Sequence, residues 1–270
     1  MNKLINSKSG SAHLLFPQKA WLGAGFWVFG RAFFEDKKKA FTLAEVLITL
    51  VIIGVIAALT IPNLMQKYTE QTTVKKVQKF YSNLANAYNL AAKDNGPASE
   101  WGIIGITEEN SNKVYEMLFK PYFKIARNCR ETNTGKCITN SPYKRLNNET
   151  MKNYDISTYF KIVLEDGATV WGRTATESES GAITIIINYD VNGPKKPNQF
   201  GKDTFEFAIN KNKVFPYGIQ SGAYVYAPFN SSCKNITQSG NGCAAWVIYK
   251  GNMDYLHCDL TWDKNSCKEK

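Results

Sequence analysis

The feature that most constrains this chain is an apolar segment, residues 41–61, that contains one ionisable residue, Glu45, and follows Lys37–Lys39. In a helix, which rises about 1.5 Å per residue, a segment of this length crosses a hydrocarbon core of about 30 Å. A carboxylate near the end of such a segment is costly unless it has a partner. The length of the segment therefore predicts a transmembrane half-helix. The cost of placing a carboxylate in it indicates that Glu45 has a function.

The charge around this segment predicts its orientation. Lys37–Lys39 precede it and no comparable basic run follows it, so residues 1–40 should lie in the cytoplasm and the rest outside. An apolar stretch at 20–29 is broken by glycines and lies before the lysines, unlike the core of a secretory signal. We interpret residues 1–40 as a leader peptide that is removed.

Residues 62–95 predict a second, amphipathic half of the same helix. Pro62 removes one backbone hydrogen bond and predicts a bend at the membrane surface. Beyond it, apolar residues recur mostly at spacings of three, four or seven, which is typical of one helical face. They are Leu64, Tyr68, Val74, Val77, Tyr81, Leu84, Tyr88 and Ala91. The Asp-Asn-Gly-Pro run at 94–97 predicts the end of the helix.

Residues 96–270 predict a globular head of mixed composition. A second helix is expected over 111–127, interrupted by Pro121. Residues 159–171 predict a β-hairpin, because Asp166-Gly167 suits a tight turn. Further strands are expected at 183–189 and 204–209, with loops at 192–201 and 230–242. The whole predicts an α+β fold, a long N-terminal helix packed on a small antiparallel β-sheet head.

The formal net charge of +10 does not predict a nucleic-acid-binding protein. Half of this charge lies in residues 1–40, and the basic residues of the remainder are mostly scattered. Affinity for phosphates needs a concentrated basic surface. We therefore expect no nucleic acid among the partners.

The six cysteines all lie beyond residue 128, on one side of the apolar segment. An even number in that position favours an oxidising compartment. Neighbours in sequence suggest three local disulfides, although six cysteines allow fifteen pairings and reduced, buried thiols are the alternative. The suggested pairs are Cys129–Cys137, Cys233–Cys243 and Cys258–Cys267.

The N-terminal pattern resembles that of type IV pilins and type II secretion pseudopilins. The matching features are the lysine run, Phe41-Thr42-Leu43, Glu45, the apolar segment and Pro62. The resemblance implies cleavage between Ala40 and Phe41, methylation of the new Phe41 amine, and a role for Glu45 in the axial register of a filament. Members of that family usually have Gly immediately before the cleavage site. Ala40, which occupies this position here, is also a small residue.

The resemblance also implies a partner set and a location. The chain would be a structural subunit that self-associates with other pilins into a helical filament. It would depend on a prepilin peptidase, an assembly ATPase and an inner-membrane platform. It would span the inner membrane once, with its head in the periplasm, before joining a filament in the periplasm or at the cell surface. The alternative is a membrane-anchored periplasmic binding protein that does not polymerise.

A polar loop offers a candidate calcium site. Oxygen ligands of the kind that calcium prefers occur at Asp190, Asn192, Asn198 and Asp203. The resemblance to major pseudopilins implies the same kind of site, since they bind calcium in a loop late in their sequence. Lys195-Lys196 would oppose a cation, and the alternative is a polar turn stabilised by Asx hydrogen bonds.

Catalysis has little support in the sequence. His257 is the only histidine after the apolar segment, and the sequence motifs of serine hydrolases, zinc proteases and P-loop enzymes are absent. We expect no enzyme activity. The many aromatic residues of the C-terminal half are expected to fill the core, with an exposed adhesive surface as the alternative.

Overall fold

The computed structural model of the chain describes residues 41–129, 137–139, 141–151, 158–176, 184–211, 213–220 and 226–268. The leader predicted at residues 1–40, with Ala40, lies outside the described residues. The chain divides into two compact units, residues 1–53 and 54–270.

The first element is one long helix, α1, Leu43–Asn95. It ends where Gly96 takes a φ of 77°, a left-handed conformation that terminates helices. The predicted end at 94–97 is therefore confirmed. The helix is long and apolar enough to cross a membrane, and its most apolar stretch is not buried by other described residues.

The second half of α1 buries one face against the head. The buried residues recur at helical spacing and are Thr73, Val74, Val77, Phe80, Leu84, Ala87, Tyr88 and Ala91. Leu64 and Tyr68 were predicted on this face, but both are exposed. Phe80 is buried in the core, whereas Tyr81 is only partly buried. The difference arises because the described head buries residues of α1 only from Thr73 onwards.

The second helical segment is shorter than predicted. Helix α2, Glu108–Val114, continues as a π-helical turn over Tyr115–Phe119. It begins before residue 111 because Thr107 caps it, its Oγ1 accepting a hydrogen bond from the Asn110 amide at 3.1 Å. The helix predicted over 111–127 is therefore wrong after residue 119. Pro121 lacks the amide needed to continue it, and the residues that follow enter the sheet.

The sheet is a six-stranded antiparallel meander whose strands lie in chain order. The strands are β1 (Ile125–Asn128), β2 (Phe160–Leu164), β3 (Thr169–Thr174), β4 (Ile185–Asp190), β5 (Thr204–Ile209) and β6 (Val214–Pro216). The predicted hairpin is confirmed as β2 and β3, with Gly167 at a φ of 83° in the turn. Strands β4 and β5 confirm the other two predicted strands, although β4 begins at Ile185. The α+β architecture is thus the one expected.

The sheet packs on α1 mainly through aromatic rings. The Phe80 ring stacks on Tyr189 with centroids 4.0 Å apart and meets Phe207 edge-on at 5.4 Å. Both partners lie on the face of β4 and β5 that contacts α1. On the opposite face, Trp171 is also fully buried. Most of the described aromatic residues therefore fill the core as expected, and Tyr249 is an exposed exception.

The C-terminal part adds two short helices, α3 (Phe229–Ser232) and α4 (Cys243–Lys250). Helix α3 overlaps the start of the loop predicted at 230–242, and α4 was not predicted. Both are too short to show a helical period. Helix α4 is held to α1 by the Gln78 side chain, whose Nε2 donates to the Val247 and Ile248 carbonyls at 3.4 and 3.3 Å.

Three local disulfides staple the head, and they are the pairs that the spacing suggested. They are Cys129–Cys137, Cys233–Cys243 and Cys258–Cys267. The second joins α3 to α4, and both of its cysteines are fully buried. The third lies at the surface, with Cys267 exposed.

Replacing both Cys233 and Cys243 by alanine is expected to lower the free energy of unfolding by about 2–4 kcal/mol. The matched control replaces Cys258 and Cys267, which close a loop of similar length. The control should lose less free energy of unfolding, because only removal of the buried Cys233–Cys243 pair leaves a cavity. Urea unfolding of the full chain in detergent, followed by tryptophan fluorescence, measures both. Equal losses would contradict the role assigned to burial.

Candidate functional site

The start of α1 places Glu45 in a capping box. Glu45 Oε2 accepts hydrogen bonds from the Thr42 amide and the Thr42 Oγ1 hydroxyl, both at 2.9 Å. In return, the Glu45 amide donates to Thr42 Oγ1 at 3.2 Å. This reciprocal pattern satisfies amide groups that a helix start leaves free, and it keeps a negative charge at the positive end of the helix dipole.

The capping box adds Thr42 to the residues of this site. The Thr-x-x-Glu spacing is present in the sequence, but the resemblance implied a role for the Glu45 carboxylate only. Because the carboxylate is held by its own chain, it lies at a defined position at the end of the apolar helix. Phe41, just before the box, is exposed, as are the large apolar side chains of the segment that follows.

Pro62 lies inside α1, and helical structure continues on both sides of it. Two side chains near Pro62 form hydrogen bonds within the helix. Thr60 Oγ1 donates to the Ile56 carbonyl at 2.8 Å, and Asn63 Nδ2 donates to the Leu59 carbonyl at 3.4 Å. The carbonyl that Pro62 leaves without its helical donor is that of Ala58, four residues earlier. The bend expected at Pro62 remains a prediction.

The second candidate site is the loop that joins β4 to β5. Asp190 ends β4 and Asp203 precedes β5, and both are buried. The Tyr143 hydroxyl donates to Asp190 Oδ2 at 2.7 Å, and the Asn192 amide donates to Asp190 Oδ1 at 3.2 Å. The Asn198 amide donates to Asp203 Oδ2 at 2.8 Å. The loop thus has the Asx hydrogen bonds expected of a polar turn, and it also brings the two carboxylates together.

Burial disfavours the charged form of both carboxylates. It raises the pKa of Asp190 well above its usual range, and the nearby charge of Asp203 raises it further. Burial likewise raises the pKa of Asp203 to about 6, although backbone amides oppose the shift. Two buried acids so close together are stabilised by a proton or by a cation.

Beside the two carboxylates, the loop offers one further buried side-chain oxygen. Asn192 Oδ1 is buried without a hydrogen-bond partner among the described residues. The described residues contain no group of three or more His, Cys, Asp or Glu that could hold a metal. If the oxygen and nitrogen of the Asn198 side-chain amide are exchanged, the nitrogen donates to the Gly193 and Lys195 carbonyls at 3.2 and 3.0 Å. Asn198 therefore fits a structural role in the loop better than a ligand role.

His257, the histidine weighed as a catalytic base, is bound to α1. Its Nε2 lies 3.0 Å from both carboxylate oxygens of Glu70. The pair joins the C-terminal segment to the helix across the surface of the head. This geometry gives His257 a structural partner.

The comparisons with known proteins match part of the chain. Residues 36–61 match the prokaryotic N-terminal methylation motif. Over 75 residues, 27% of this chain, the sequence is 36% identical to the type II secretion system core protein G of Escherichia coli strain K12. The aligned region spans about half of that relative, 51% of its length. No solved structure matches the chain.

The motif match falls on the half-helix that carries Glu45. A long, partly exposed N-terminal helix packs its second half on an antiparallel sheet. The chain thus carries the N-terminal methylation motif and is similar, over part of its length, to a type II secretion core protein.

Proposed function

We propose that this protein is a structural subunit of a type IV pilus-like or type II secretion pseudopilus filament. The observation that carries the proposal is the exposed apolar half of α1 with Glu45 fixed at its first turn, in the segment that matches the methylation motif. Such a subunit has a structural role, and we expect no enzyme activity.

Before assembly, the apolar half of α1 holds the subunit in the inner membrane with its head in the periplasm. A prepilin peptidase cuts between Ala40 and Phe41, and the Phe41 amine is then methylated. The cut creates a cation at about the depth of the Glu45 carboxylate. Inside hydrocarbon, two opposite charges offset part of each other's desolvation cost.

In the filament, the apolar half-helices bundle and the heads form the outer surface. The amine of one subunit pairs with Glu45 of a neighbour, which sets the axial register. Within a single subunit, Thr42 already supplies two donors to the same carboxylate oxygen. The capping box therefore keeps Glu45 oriented until the neighbour's amine arrives. An assembly ATPase and a membrane platform drive extraction, and nucleic acid takes no part in it.

Mass spectrometry of the mature N-terminus tests this function against the alternative of a non-polymerising, membrane-anchored periplasmic binding protein. The sample is the full protein from cells with and without their prepilin peptidase. We expect a chain that begins at methylated Phe41 only where the peptidase is present. A leader that persists through Ala40 in both strains would refute filament assembly and favour the anchored binding protein.

We also propose that the β4–β5 loop binds calcium. Asp190, Asp203 and the Asn192 side-chain oxygen would hold the ion, together with oxygens of the backbone. The support is the pair of buried carboxylates and the buried Asn192 oxygen without a hydrogen bond. When bound, the ion would supply positive charge that stabilises both ionised acids and fixes the loop between β4 and β5.

Calcium is expected to raise the melting temperature of the full chain relative to the same protein in chelator. A ligand present at about 100 times its dissociation constant adds about 2.7 kcal/mol to stability. The Asp203→Asn variant should lose the response, and the exposed Asp259→Asn variant should keep it. A wild-type melting temperature that is indifferent to calcium would show that the loop is only a polar turn.

A further inference from the structure

A buried carboxylate lies on the face of the sheet that points away from α1. It belongs to Glu206 in β5, which is only 6% exposed. Side chains alternate along a strand, so Glu206 lies on the face opposite to Phe207, which contacts α1. The residue directly across from it in β4 is Asn188, which is equally buried. Opposed residues of antiparallel strands have Cβ atoms about 4.5–5.5 Å apart, so the two side chains are neighbours.

Two segments outside the sheet reach Glu206 through a chain of hydrogen bonds. Arg145 Nη1 donates to Asn241 Oδ1 at 2.9 Å. Asn241 Nδ2 in turn donates to Glu206 Oε2. The donors therefore run in one direction, from the guanidinium to the carboxylate. This chain ties residues 145 and 241, which are distant from β5 in sequence, to the sheet.

An unsatisfied acceptor lies on the other side of Glu206. Asn188 Oδ1 is buried and has no hydrogen-bond partner among the described residues. A buried acceptor left in this state costs free energy. An ionised Glu206 cannot satisfy it, because a carboxylate only accepts hydrogen bonds, whereas a protonated Glu206 has one O–H donor. With that proton in place, each group from Arg145 to Asn188 donates to the next.

The surroundings of Glu206 oppose its ionised form. Burial has the largest effect and raises the pKa of Glu206 to about 7, although the hydrogen bond from Asn241 and the charges of Arg145 and Arg173 oppose this shift. Lys161 lies at the same level of the sheet in β2, but the side chains of β3 and β4 lie between it and Glu206. The carboxyl group therefore changes its charge around neutral pH.

We propose that Glu206 is a proton-binding site of the folded head, and that its proton completes the hydrogen-bond chain from Arg145 through Asn241 to Asn188. Loss of the proton leaves the Asn188 oxygen unsatisfied beside a buried negative charge. The segments around residues 145 and 241 are then held less firmly on the sheet. The inference goes beyond the proposed filament function and does not depend on it.

The sign of the pH dependence follows from the two states of the chain. The pKa of Glu206 is about 7 in the folded head and 4.5, its ordinary value, in the unfolded chain. Between these values the folded state binds the additional proton, so stability falls as the pH rises and becomes constant above the folded pKa. Burial also raises the pKa values of Asp190 and Asp203, which contribute a slope of the same sign. A test must therefore isolate Glu206.

The Glu206→Gln variant isolates it. At every pH the glutamine amide can accept from Asn241 and donate to Asn188, as the protonated acid does. The measurement is the melting temperature of the full chain in detergent and chelator, at pH 5 and at pH 8. We expect the variant to equal the wild type at pH 5 and to melt about 5 °C higher at pH 8. Glu165→Gln, in the exposed turn between β2 and β3, is the matched control and should change neither value.

A second variant tests the acceptor. Asn188→Leu should lower the melting temperature more at pH 5 than at pH 8, because only the protonated acid uses Asn188 Oδ1. Two results would overturn the proposal. A Glu206→Gln variant that melts below the wild type at pH 8 would show that Glu206 acts as an ionised partner of the arginines. Equal melting of variant and wild type at both pH values would show that no proton on Glu206 stabilises the head.

Discussion

Replacing Glu45 by valine is expected to abolish incorporation into filaments without impairing membrane insertion. The substitution removes the acceptor of both Thr42 hydrogen bonds and the carboxylate proposed to pair with a neighbour's amine. Insertion itself should improve, by about 2–3 kcal/mol, because a charge no longer enters the bilayer. Fractionation of membranes and sheared filaments, with quantitative immunoblotting, measures both quantities in the same cells.

Thr49→Val is the matched control for this experiment. Thr49 lies one turn further along α1, and its hydroxyl donates only to the Val46 carbonyl of the same helix, at 3.0 Å. The variant also makes the segment more apolar but leaves the capping box intact, so it should assemble normally. If the Glu45 variant assembles as well as this control, Glu45 does not set the register.

Replacing Phe80 by alanine is expected to cost about 3–5 kcal/mol of folding free energy. Phe80 is only 3% exposed, and its ring contacts those of Tyr189, Phe207 and Phe123 between α1 and the sheet. Alanine would leave a cavity at the centre of this interface. Urea unfolding of the full chain in detergent, followed by tryptophan fluorescence, gives the change in free energy.

Leu90→Ala serves as the comparison, because Leu90 lies on the same helix and is half exposed. The loss there should be well below that of the Phe80 variant, since little apolar area returns to water. A similar loss for both would mean that the effect comes from the helix itself and not from its packing on the sheet.

Much of α1 could be derived from the sequence because its signals are local. The apolar segment, the Thr42–Glu45 spacing and the terminating run at 94–97 each act within a few residues, as does the Asp166-Gly167 turn of the hairpin. Such signals do not depend on the rest of the chain. They also carried the family resemblance, which the methylation-motif match at 36–61 supports.

The wrong predictions concern residues whose secondary structure or burial depends on contacts with residues distant in sequence. Residues 125–128 continue a helical pattern in the sequence, but they form β1 because β2 offers a partner for their backbone groups. Leu64 and Tyr68 have the spacing of buried residues, yet both are exposed, because the described head buries α1 only from Thr73 onwards. Pattern reasoning identifies an apolar face but not the surface that covers it.

By itself, the sequence determined the membrane-length helix, the position of its carboxylate and the presence of an antiparallel head, because periodicity and turn chemistry are local. Only the tertiary structure decided which residues share a site. It buried Asp190 and Asp203 at the two ends of one loop, where the Tyr143 hydroxyl from a distant part of the chain donates to Asp190. Such sites depend on chain closure over long separations, and no local pattern encodes the outcome.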